Sequence, residues 1–86
     1  MPRFFFHLCN GEEVTEDRDG SEDESLEAAH QRADAILRAN MSRDLIRGEL
    51  NMGAFIEVED AEHGHAMFVA FSEAVTVTKK VGQRPR

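Results

Sequence analysis

Asp60-Ala61-Glu62-His63-Gly64-His65 brings two imidazoles and two carboxylates into six consecutive residues. These are ligand types that zinc and nickel accept. A His-x-His pair in a glycine-containing turn converges on one ion only if the turn bends suitably, and the sequence places no third ligand beside it. His63 and His65 therefore offer a metal-binding alternative to the plainer reading, a solvated polar turn. His7 and Cys9 pair an imidazole with a thiol on one face of a strand. Residues two apart on a strand stand about 7 Å from each other, too far for the direct hydrogen bond that activates a thiol. No third group orients them, so Cys9 reads as a packing residue and no catalytic residue is assigned. Asp17-Arg18-Asp19-Gly20-Ser21-Glu22-Asp23-Glu24 has the composition of a calcium loop but fails its register. Placing Gly20 at the glycine position starts the loop at Thr15 and ends it at Leu26, neither a suitable ligand. His30 precedes Asp34 by four residues and reads as a helix-surface pair.

The elements that hold these groups follow from hydropathy periods. Phe4-Phe5-Phe6-His7-Leu8-Cys9 alternates with period two, sending residues 4, 6 and 8 to one face and 5, 7 and 9 to the other. Asn10-Gly11 follows, the pair that best tolerates the two positive φ values of a type I′ hairpin turn. Glu12-Glu13-Val14-Thr15-Glu16 is the expected return strand, with Val14 as its inward residue and its acids guarding a sheet edge. Leu26, Ala29, Ala33, Ile36, Leu37 and Met41 recur at intervals of three and four, an amphipathic helix over 26–47. Ser25 is its expected N-cap, with Ser21 and Glu24 as an alternative capping box one turn earlier. Acids near its start and arginines toward its end suit the helix dipole, and Gly48 ends it. The apolar stripe loses phase after Met41, which predicts a kink near 40–42.

Alternation resumes after Gly53. Ala54, Ile56 and Val58 are expected inside, with Phe55, Glu57 and Glu59 outside. Beyond a turn at 62–65, Met67, Val69 and Phe71 are expected inside and Phe68 and Ala70 outside. Residues 72–74 are expected to bulge or bend before Val75-Thr76-Val77-Thr78 extends the sheet. The fold class is α+β in the order β-β-α-β-β, an antiparallel sheet with one long helix on one face.

That arrangement leaves Phe5, His7, Phe55 and Phe68 on the uncovered face. Scattered apolar residues can tolerate water, and one strand with the opposite register would also account for them. The sharper reading is a face that a partner covers, most economically an identical subunit. A base-stacking platform for single-stranded RNA is disfavoured by Glu57 and Glu59 beside the rings.

The chain has 86 residues, enough for one core, and its single cysteine excludes an internal disulfide. Residues 1–78 are expected to form one domain, and 79–86 a basic, disordered tail. Of the net charge of −7, residues 11–30 contribute nine acids against Arg18 alone. Glu12, Glu13, Glu16, Asp17 and Asp19 are the expected acidic surface. Such a body repels phosphate backbones, so nucleic acid is disfavoured as a partner. The opening residues hold no signal-peptide core or membrane span, and the protein reads as cytoplasmic, with no membrane partner.

Met1-Pro2-Arg3-Phe4-Phe5-Phe6-His7-Leu8, the Asn10-Gly11 turn, Asp19-Gly20, Ser25-Leu26-Glu27-Ala28-Ala29 and Phe71-Ser72-Glu73-Ala74-Val75 occur in that order. Together, over residues 1–75, they resemble a family of short bacterial proteins classed as a domain of unknown function. Asn10 stands where that family more often has Asp, and Phe4 and Phe5 where Tyr is frequent. The resemblance implies a free-standing cytoplasmic domain and carries over no catalytic residue or cofactor. Three functions follow as expectations. The first is a non-enzymatic homodimeric module that binds or regulates another protein. The second is an acidic, antitoxin-like or nucleic-acid-mimicking partner of a basic protein. The third is a metal-binding protein using His63 and His65.

Overall fold

Alternating Phe4, Phe6 and Leu8 can be buried only if something covers one side of their strand, and the helix does so. The computed structural model describes residues 1–79 and 82. In chain order the elements are β1 (Arg3–Asn10), β2 (Glu13–Thr15), β3 (Ser21–Glu22), α1 (Leu26–Ile46), β4 (Phe55–Asp60), β5 (Gly64–Ala70) and α2 (Phe71–Ala74). The sheet runs β2-β1-β4-β5, every pairing antiparallel, and β3 pairs with β1 on the side that β2 also uses. This is the α+β arrangement, in the order β-β-α-β-β, that the hydropathy periods require, with the two-residue β3 as an addition.

The core lies between α1 and one face of the sheet. Phe4, Phe6, Ile56, Val58 and Val69 meet Ala29, Ala33, Leu37 and Met41 there. Side chains such as Phe4 and Ile56, almost wholly buried, each contribute about 1.5 to 3 kcal/mol of burial. Alanines at 29 and 33 let the helix axis approach the sheet closely. Leu26 lies off this contact and is 53% exposed, while Asn40 occupies a buried position that the apolar stripe left unassigned.

Ser25 caps α1, its hydroxyl accepting the Ala28 N–H at 3.1 Å. The helix continues without a break in its assignment through 40–42. The carbonyls at its end are taken up by Arg47, Gly48 and Glu49 N–H groups, with Gly48 at φ +80°.

Three local expectations are corrected. The β1–β2 loop is Gly11-Glu12, closed by the Asn10–Glu13 pair. Only Gly11 has positive φ there, the φ signs of a type II′ turn, which places glycine first. Val14 lies opposite Cys9, and directly opposed residues share a face. Val14 is therefore on the uncovered side and 65% exposed. Residues 71–74 form the short helix α2, whose last carbonyl accepts a hydrogen bond from Arg38 at 3.0 Å. This turn takes the chain away from the β5 direction and toward α1, so 75–78 form no strand. The expected tail at 79–86 lies mostly outside the described residues.

Candidate functional site

Strand pairing fixes which groups meet on the uncovered face. Across β1 and β4, Phe5 lies opposite Glu59, His7 opposite Glu57, and Cys9 opposite Phe55. Across β4 and β5, Phe55 lies opposite Ala70, Glu57 opposite Phe68, and Glu59 opposite His65. Between Val58 and Glu59 the register shifts by one residue, which accommodates Ala66 as a bulge.

The structure thus brings Phe5, His7, Phe55 and Phe68 to one face, but not into one continuous apolar patch. Phe5 stacks with His7 at 6.4 Å between centroids. Phe55 meets Phe68 edge to face at 5.5 Å, and His65 lies 4.4 Å from Phe68. Glu57 and Glu59 run between the two groups. Glu59 binds His7 at 2.9 Å and Glu57 binds His65 at 3.1 Å. Phe68 is 58% exposed, whereas Phe5 and Phe55 are half-buried. Beside Phe68, an open apolar hollow of about 410 Å³ is lined by Met52, Ala54, Phe55, Ala70 and Phe71 among others.

His7 is the most constrained group on this face. The Asp17 N–H donates to its Nδ1 at 3.1 Å, so the ring proton resides on Nε2 and is donated to Glu59. Both nitrogens are occupied, and none remains to accept a proton from Cys9. Asp17 is itself folded inward. Its carboxylate accepts the Phe6 N–H and the Gly20 N–H, each at 3.1 Å. Asp17 therefore works as a loop anchor, while Glu12, Glu13, Glu16 and Asp19 are exposed.

The His63/His65 pair is divided between two elements. His63 stays in the turn, 3.3 Å from Asp60, while His65 is already on β5 and faces Glu57. Among the described residues no three His, Cys, Asp or Glu side chains are grouped so as to hold a metal ion. The N–H of Glu62, donated to Asp60 at 2.8 Å, holds that carboxyl below its usual range, with His63 adding to the effect against a smaller opposing cost of burial.

Residues 3–72 match the sequence model of a family described as Domain of unknown function (DUF6894). The chain belongs to this family. No curated protein and no solved structure matches the chain. The part matched to DUF6894 runs from the start of β1 into α2 and so includes the whole uncovered face, the Asp17 loop and α1.

Two features of this DUF6894 chain were not read from its sequence. Asp23, buried at 7% exposure, takes three hydrogen bonds from Arg32 at 2.9 to 3.1 Å. These bonds, and the attraction of the carboxylate, raise the Arg32 guanidinium above its ordinary value despite a cost of burial. Their separation of nine residues matches no local rule. The Asp17–His7 contact had a signal in Asp17 preceding Gly20 by three residues, a turn-forming spacing.

Proposed function

We propose that this protein is a non-catalytic homodimeric module that binds or regulates another protein, and that the uncovered sheet face forms the contact between its two copies. One observation carries the reading. Phe68 is an exposed phenyl ring beside an apolar hollow, on a face that no element among the described residues covers. Exposed apolar surface of this kind is where a partner gains burial, and two-fold pairing is the most common oligomeric arrangement. The Glu59–His7 and Glu57–His65 pairs suit such a surface, since they set register while the rings contribute burial. Its single thiol fits a reducing bacterial cytoplasm.

Size-exclusion chromatography with light scattering tests this reading. The wild type is expected at twice the monomer mass of 9.7 kDa, and Phe68→Glu at the monomer mass with its fold retained. A wild type that stays monomeric at high micromolar concentration overturns it.

A second reading draws on Glu12, Glu13, Glu16 and Asp19, which are exposed and make no ion pair among the described residues. An acidic rim of this kind suits a basic partner protein. Binding to such a partner that does not weaken with added salt would rule it out.

A further inference from the structure

Away from the uncovered face, a polar cavity of about 560 Å³ opens where the end of α1 meets the ends of β1 and the 49–53 loop. Its floor is already organised. Arg47 donates to Asp44 at 2.8 Å, Asn10 donates to the same carboxylate at 3.1 Å, and Asn51 donates to Asn10 at 2.9 Å. Asn51 in turn accepts the Gly53 N–H at 2.9 Å. This chain of bonds uses the carboxylate of Asp44 and the charge of Arg47, and it fixes the orientation of both amides.

Three kinds of group on the wall remain outside it. Asn40 is buried to 9% exposure, lines the cavity and makes no side-chain hydrogen bond among the described residues. Arg43 also lines the cavity, and among the described residues the arginines that form ion pairs are Arg3, Arg32 and Arg47. Glu13 and Glu49 stand on the rim, exposed. With Asp44 and Arg47 neutralising each other, the cavity offers one guanidinium, two carboxylates and a donor-acceptor amide.

That set matches neither a simple anion, which Glu13 and Glu49 would repel, nor a simple cation, which Arg43 would repel. We infer that the cavity at Asn40 and Arg43 binds a small zwitterion of the amino-acid type. Arg43 takes the ligand carboxylate, Glu13 and Glu49 attract its ammonium, and Asn40 pairs with an amide or hydroxyl between them. The polar lining suits a hydrophilic ligand, and the volume leaves ample room for one of amino-acid size. The inference is independent of the dimer reading, since it uses neither Phe68 nor its face.

L-Glutamine titrated into ¹⁵N-labelled protein tests it, followed by the side-chain resonances of Asn40 and Arg43. The expected result is a saturable shift with a millimolar dissociation constant, weakened at least about tenfold, roughly 1.4 kcal/mol, in Arg43→Ala. Arg43 is solvent-exposed, so that variant keeps the fold. N-Acetyl-L-glutamine, which lacks the ammonium, is expected to bind more weakly, and inorganic phosphate to leave both resonances unshifted. Absence of a saturable shift up to about 10 mM L-glutamine overturns the inference. So does an equal response to phosphate, or an unchanged affinity in Arg43→Ala.

Discussion

His7 Nδ1 accepts the backbone N–H of Asp17 at 3.1 Å, and this bond ties the loop between β2 and β3 to the uncovered face of the sheet. It also sets the tautomer that lets Nε2 donate to Glu59 at 2.9 Å. His7→Phe removes both bonds and leaves the Asp17 N–H without an acceptor, at a cost of about 1 to 3 kcal/mol. The loss should be local. In hydrogen exchange, the amides of Asp17 and Gly20 are expected to lose protection while Val58 and Val69 in the core keep theirs.

The loop has a second constraint at Gly20. Its φ is +74°, and a Cβ there would lie 2.8 Å from the Phe4 carbonyl oxygen and 3.0 Å from the Phe5 ring. Gly20→Ala should therefore cost about 2 to 3 kcal/mol, from the left-handed backbone and the contact with a carbonyl that cannot move freely. Gly64 has a similar φ of +80° with nothing near its Cβ position, so Gly64→Ala should cost only about 1 kcal/mol. Urea unfolding of the two variants measures the difference, and equal losses would refute the steric account.

Arg32 holds Asp23 in its buried position, while the guanidinium itself is 44% exposed. Arg32→Ala leaves a carboxylate at 7% exposure without its cation. Allowing for solvent on the arginine side, the expected loss is about 1 to 3 kcal/mol. Arg32→Lys should recover only part of it, because one ammonium cannot reproduce a fork on two oxygens. Full recovery in urea unfolding would contradict the bidentate geometry.

Asp60 supplies a pH dependence with a defined sign. Its carboxyl is held below the ordinary 3.8, chiefly by the Glu62 N–H. The unfolded chain therefore takes up a proton at a higher pH than the folded chain does. The stabilisation is full above about 3.8 and is lost as pH falls through the lower folded value. Asp60→Asn keeps an oxygen acceptor without the charge. The stability difference between wild type and this variant should shrink as pH falls below about 3.8 and through the lower folded value. A constant difference across that range would count against the assignment.

Periodicity alone carried the architecture, because period two in Phe4 to Cys9 and in Ala54 to Glu59, and spacing of three and four from Ala29 to Met41, each require one buried face. The inward and outward assignments of Phe4, Phe5, Phe55 and Phe68 follow from it, and so does the Ser25 cap, since all of these are local. Val14 was misread because a three-residue strand carries too little pattern to show its face, and only its partner Cys9 decides it. Val75 to Thr78 alternate as a strand does, yet the α2 turn takes them away from any edge they could pair with. Asp17 on His7, Arg32 on Asp23 and Asn40 on the cavity wall are contacts between residues distant in the chain or set by packing. No local period encodes them, and they exist only once the helix lies on the sheet.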